Sequence, residues 1–110
     1  MTIQLPTQVA NYFKAANEGT PAQVAQCFAP QGVVHDEEQR LQGHAAIAAW
    51  SAAARARYGA RATPLAGQAT LDGIEVRSRV EGNFPGSPIE LGFLFQLNGE
   101  DIASLRIRAT

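Results

Sequence analysis

The hydrophobic period of this chain changes once, near residue 60, and that change sets what it can fold into. Before it, apolar residues recur at helical spacing: Val9, Tyr12, Phe13 and Ala16 follow i, i+3, i+4, i+7. After it they alternate. Ile74, Val76, Ser78 and Val80 interleave with Glu75, Arg77, Arg79 and Glu81, and Ile89, Leu91, Phe93, Phe95 and Leu97 interleave with Glu90, Gly92, Leu94 and Gln96. Helices followed by a meander of antiparallel strands make an α+β domain, in which the helices cover one face of a curved sheet. With 110 residues, one core and no linker or repeat, residues 1–110 read as a single domain.

Local signals place the boundaries. Pro6 opens the first helix and Gly19 closes it. Thr20-Pro21 is an N-cap followed by a first-turn proline, and Val24, Cys27 and Phe28 form the buried side of a short second helix that Pro30 and Gly32 end. A strand from Val33 to Asp36 follows, then a polar loop to Gly43. The alanine-rich segment His44 to Tyr58 predicts a third helix that buries Ile47, Trp50, Ala54 and Tyr58. Gly59 stops it, with Arg55 and Arg57 in the last turns, where cations suit the helix dipole. Leu71-Asp72-Gly73 and Leu97-Asn98-Gly99 supply turn chemistry between strands, Phe84 to Pro88 forms a longer bend, and a last strand runs from Ile102 to Ala109.

Composition removes several function classes. A formal net charge of −1 gives no basic patch for nucleic acid or an acidic membrane surface. Arg77, Arg79, Arg106 and Arg108 come closest, and Glu75 and Glu81 interleave with them. The single cysteine, Cys27, forms no intramolecular disulfide and reads as a buried reduced thiol, which suits a cytoplasmic protein. Met1-Thr2-Ile3-Gln4 lacks the basic and apolar regions of a leader, and no apolar run approaches membrane-spanning length.

The candidate chemistry lies in two residues. Asp36 ends the apolar strand Val33-Val34-His35-Asp36, where a carboxylate suits a pocket mouth better than a core. Tyr12 lies on the apolar stripe of the first helix, so its ring faces inward and its hydroxyl needs a partner, for which Asp36 is the candidate. Apolar walls and the neighbouring Glu37 and Glu38 are expected to raise the Asp36 pKa toward the range of a general base. Trp50 and Tyr58 on the third helix, with Phe93 and Phe95 on the sheet, offer ring faces and are the candidate ligand contacts. No metal site is expected: His35 and Asp36, adjacent on a strand, point to opposite faces, and His44 begins a helix elsewhere. No phosphate-binding glycine motif appears, and no serine or cysteine has an evident base, so no cofactor and no nucleophilic catalysis are expected.

Cys27-Phe28-Ala29-Pro30 before Val33-Val34-His35-Asp36, then Gly43-His44-Ala45-Ala46-Ile47, then Asn83-Phe84-Pro85-Gly86-Ser87-Pro88, resembles the SnoaL-like group of the nuclear transport factor 2 superfamily. The resemblance spans nearly the whole chain. It implies a cone in which three helices pack on the concave face of a curved antiparallel sheet and enclose an apolar pocket, often in a homodimer paired through the sheet. The superfamily includes ketosteroid isomerases, polyketide cyclases, epoxide hydrolases, dehydratases and non-catalytic binders, so fold alone does not choose among them.

Against the ketosteroid isomerases, Tyr12 in Asn11-Tyr12-Phe13 falls where their oxyanion tyrosine lies, and Asp36 where their base lies. The position of their protonated aspartate falls near Phe93 and Leu94, which donate nothing. Loss of one oxyanion donor typically costs about 100-fold to 1000-fold in rate, so a true steroid isomerase is not expected. Two readings follow. One is a cofactor-free enzyme of isomerase, cyclase or hydrolase type, with Asp36 as acid/base and Tyr12 as oxyanion donor. The other is a non-catalytic binder of a small apolar or aromatic molecule, or a dimerisation module.

Overall fold

Three helices and six strands form among the described residues, two of the strands between the second and third helices and four after residue 60. The computed structural model describes residues 4–109, so the reading of the first three residues lies outside the described part. Helices α1 (Thr7–Glu18), α2 (Pro21–Gln26) and α3 (His44–Tyr58) pack against strands β1 (Phe28–Asp36), β2 (Gln39–Gln42), β3 (Arg61–Ala69), β4 (Gly73–Glu81), β5 (Ile89–Asn98) and β6 (Asp101–Ala109). The sheet order is β2-β1-β6-β5-β4-β3. It is mixed rather than wholly antiparallel, because β1 pairs with β6 in parallel. A chain that enters the sheet from α2 and returns to it only after α3 can place its first strand beside its last in that sense.

The helix ends follow local chemistry. The Pro6 carbonyl accepts the Val9 and Ala10 N–H groups at 3.0 and 2.9 Å, and the Gly19 N–H returns to Ala15 at 2.9 Å. At α2 the Thr20 hydroxyl accepts from the Gln23 N–H while the Gln23 side chain accepts from the Thr20 N–H, a complete capping box. Gly59 closes α3 at φ 54°, a left-handed geometry that favours glycine.

Two boundaries depart from the sequence reading. Helix α2 stops at Gln26, and Phe28, Pro30 and Gly32 belong to β1 rather than to a helix end. Phe28 pairs with Ile102 and the ladder resumes at Val33 with Ser104, so the intervening residues sit in an irregularity where the missing proline N–H breaks no ladder bond. The polar loop contains strand β2, closed onto β1 by Glu37 and Glu38, both at positive φ (50° and 66°). Asparagine and glycine usually signal such a turn, and two glutamates hide it.

The inward faces of the strands align in ranks. Val34 pairs with Leu105, Leu105 with Phe95 and Phe95 with Ile74, forming one buried row across four strands. The Tyr12 and Phe13 rings of α1 lie on it, with centroids 5.4 and 5.8 Å from Phe95. A second rank, Ile107, Phe93 and Val76, lies beside the first. The outer face carries exposed ion pairs, Arg77 with Glu90, Arg79 with Glu81 and Arg108 with Glu75, which contribute little to stability.

Arg55 ties α3 to α1. Its Nη2 donates to the Ala15 and Ala16 carbonyls at 2.7 and 3.3 Å and its Nη1 to Gly19, so a cation closes the negative end of α1. Asn17 ties the same turn to β3 through paired bonds with the Ala62 backbone at 2.7 and 2.9 Å. Arg55→Met is expected to destabilise the domain by about 2 kcal/mol, because the α1 carbonyls lose both charge and donors. Urea denaturation checks this; an unchanged midpoint would show that solvent caps α1 equally well.

Candidate active site

Between the helices and the inner face of the sheet lies a cavity of about 270 Å³. Tyr12 and Ala16 of α1 and Trp50, Ser51, Ala54, Arg55 and Tyr58 of α3 form one side. Val80, Phe84, Ile89, Leu91, Phe93 and Ile107 form an apolar opposite wall. Asp36 and Glu37 border it where β1 ends. Period-2 alternation puts Val34 and Asp36 on the inner face, so the strand that buries Val34 also delivers a carboxylate to the cavity.

Asp36 is held by tryptophan rather than by tyrosine. The Trp50 indole Nε1–H donates to Asp36 Oδ2 at 3.0 Å. Burial raises the Asp36 pKa above its ordinary value, the Trp50 bond opposes that, the Glu37 charge adds to it, and the Glu37 backbone N–H opposes it. The net shift is upward. The partnership between Tyr12 and Asp36 expected from sequence is not formed; the carboxylate takes its side-chain bond from the Trp50 indole.

Tyr12 is nevertheless aimed at the same space. It is only 3% exposed, and its hydroxyl has no hydrogen-bond partner among the described residues. Yet among the described residues only Arg55 Nε and Ser78 Oγ are both unpartnered and closed off from solvent, so the Tyr12 hydroxyl opens onto the cavity that the residue lines. Burial first, then the Asp36 and Cys27 charges, push its pKa well above that of free tyrosine. It is therefore a neutral, unoccupied donor at physiological pH.

The aromatic candidates separate. Trp50, Tyr58 and Phe93 line the cavity. Phe95 does not: it is fully buried behind Tyr12, Phe13 and Phe93, as core rather than ligand contact. Trp50, Ala54 and Tyr58 are only partly buried, and so is Ile107, because the cavity occupies the space that packing would fill. Tyr58 sits at the rim, donating to Glu37 Oε1 at 3.0 Å, with its ring edge-on to Phe84 at 5.9 Å.

The remaining titratable groups lie elsewhere. His35 faces outward, in register with Arg40 and Arg106, and its pKa is lowered by desolvation and by those two charges. His44 Nε2 bonds the Phe28 carbonyl at 2.8 Å. Cys27 is half-buried at the end of α2, its thiol donating to the Gln23 carbonyl at 3.4 Å. Among the described residues no three His, Cys, Asp or Glu side chains gather as metal ligands, and no helix is long and apolar enough to cross a membrane.

Sequence reasoning missed Ser51 and the wall from Phe84 to Leu91. Ser51 lies four residues after Ile47 and three before Ala54, in step with the apolar stripe of α3. A serine at such a position was the available signal.

An α+β cone of three helices on a curved six-stranded sheet is the ketosteroid isomerase-like fold. The chain belongs to the SnoaL-like domain family, whose profile matches residues 9–105. A protein from Sinorhizobium meliloti named as a candidate polyketide cyclase is 38% identical over 94% of this chain and 95% of its own, with a TM-score of 0.90. A Catenulispora acidiphila protein of ketosteroid isomerase-like fold, solved with trimethylamine, is 20% identical over 97% of this chain and 88% of its own, with a TM-score of 0.86. SalBIII, an epoxide hydrolase/cyclase-like enzyme of pyran ring formation in the polyether salinomycin, is 22% identical over 92% and 86%, with a TM-score of 0.77. The last two likenesses bear on fold alone. No protein of curated function matches the sequence.

Proposed function

We propose that the chain is a cofactor-free enzyme of isomerase, cyclase or hydrolase type, in which Asp36 moves a proton on a small, largely apolar ligand and Tyr12 donates to the oxygen that gains charge. One observation carries this reading: a carboxylate of raised pKa and an unpartnered tyrosine hydroxyl border the same apolar cavity. Trp50 donates to Asp36 Oδ2, and a carboxylate has lone pairs beyond that bond with which to meet a ligand. Tyr12 keeps its proton across the working range, so it polarises a carbonyl without competing as a base. The apolar side chains of the walls lower the local dielectric, which strengthens both interactions.

The test needs no knowledge of the natural substrate. A base beside an oxyanion donor should accelerate exchange of the α-hydrogens of a bound ketone with deuterium oxide. With 1-tetralone as the probe, exchange above background that is lost in Asp36→Asn supports the enzyme reading. Exchange equal to background, or unaffected by that change, leaves a non-catalytic binder of a small apolar or aromatic molecule.

We further propose pairing of two copies through the outer face of the sheet. Its support is that Arg77, Arg79 and Glu81 of β4 and Arg106 and Arg108 of β6 are exposed. Sedimentation is expected to give a dimer at micromolar concentration, with a mixed interface rimmed by Arg77 and Glu75; a monomer at high micromolar concentration would overturn it.

A further inference from the structure

Ser51 is the second hydroxyl of the cavity. It is 7% exposed, in the middle of α3, where the surrounding residues are mostly alanine. Serine is a poorer helix former than alanine, and a buried hydroxyl without a bond carries a desolvation penalty. Serines inside helices commonly relieve that penalty by bonding the carbonyl four residues back, as the Cys27 thiol does to Gln23. Ser51 makes no such bond to Ile47 and has no hydrogen-bond partner among the described residues. Nor is its oxygen one of the two unpartnered atoms closed off from solvent, so it opens onto the cavity that Ser51 lines.

We propose that the Ser51 hydroxyl is a second ligand-contacting donor, acting alongside Tyr12, and that it makes the cavity select a neutral carbonyl compound over a hydrocarbon of the same shape. The inference rests on the reading of this cavity as the ligand site. Asn17 is held at both ends of its amide by the Ala62 backbone. The Trp50 indole proton is spent on Asp36, and the Tyr58 hydroxyl on Glu37. Tyr12 and Ser51 are thus the hydroxyls left free on the cavity wall. Ser51 and Trp50, the residue that holds Asp36, both line this cavity.

The experiment compares 1-tetralone with tetralin, its counterpart lacking the carbonyl, on the intact chain. Trp50 is the single tryptophan, so its indole N–H resonance reports occupancy of the cavity. Ser51→Ala is expected to weaken 1-tetralone about 5-fold, the effect of one neutral hydrogen bond, and to leave tetralin unchanged. The same variant should have an equal or higher denaturation midpoint, and Ser51→Thr should retain the preference for the ketone. If the wild type binds 1-tetralone and Ser51→Ala binds it equally well, the Ser51 inference falls and the Asp36 and Tyr12 reading stands. Equal weakening of both probes also overturns it, because packing alone would do that. If neither probe binds the wild type, the cavity reading falls with it.

Discussion

Asp36→Asn is expected to lower the α-hydrogen exchange of bound 1-tetralone by about 100-fold or more, as removal of a positioned general base does. The protein should remain folded and, at neutral pH, be at least as stable as the parent. Asparagine keeps an oxygen for the Trp50 indole, so the observed 3.0 Å bond has a substitute acceptor. It also removes a charge that burial disfavours. The sign follows from the raised pKa. Below the unfolded value of about 3.9 both states are protonated and Asp36 carries no penalty. As pH rises from there to the higher folded value, the unfolded chain ionises first, stability falls, and that loss persists at neutral pH.

Paired urea curves at pH 3 and pH 7 check this. The variant should gain on the parent as pH rises, and an Asp36→Asn chain that unfolds more easily at pH 7 would show that the carboxylate is structural. Tyr12→Phe should lower exchange as well while leaving the Asp36 titration upward-shifted, because the Tyr12 hydroxyl makes no bond to the carboxylate.

Phe95→Ala is expected to destabilise the domain by about 3 to 5 kcal/mol, a large part of the roughly 5 to 15 kcal/mol available to a small domain. Phe95 is fully buried at the centre of the inner rank, between Leu105 and Ile74 and beneath Tyr12 and Phe13. Removing the ring leaves a void that four strands cannot collapse to fill, because their spacing is fixed by ladder hydrogen bonds. A urea midpoint shifted by less than about 1 kcal/mol would contradict this packing. Phe95→Leu, which keeps most of the volume, should cost less than about 1.5 kcal/mol and leave 1-tetralone affinity intact, since the ring does not border the cavity.

The helical stripe of α1, the Thr20 N-cap of α2, the full span of α3 from His44 to Tyr58 and the hairpin turns at Asp72 and Asn98 were legible because each is decided by residues within a few positions of one another. The turn at Glu37 and Glu38 was not. Its left-handed backbone is imposed by the pairing of β1 with β2, and no glycine or asparagine marks it. The strand character of Phe28 to Gly32 was likewise hidden, since it depends on β6, some seventy residues later in the chain.

The candidate site divides along the same line. Alternation along β1 and the stripe of α1 are enough to turn Asp36 and Tyr12 inward, and Trp50 and Tyr58 follow from the phase of α3. Which of these groups meet is set by how far apart the elements sit and at what height they cross. That geometry gave Asp36 to the Trp50 indole and left the Tyr12 and Ser51 hydroxyls open to the cavity. It also moved Phe95, on the same strand face as Phe93, one rank deeper into the core. Periodicity determines the face a side chain takes; its partner across the cavity is fixed only when separate elements pack, because their spacing depends on every side chain between them.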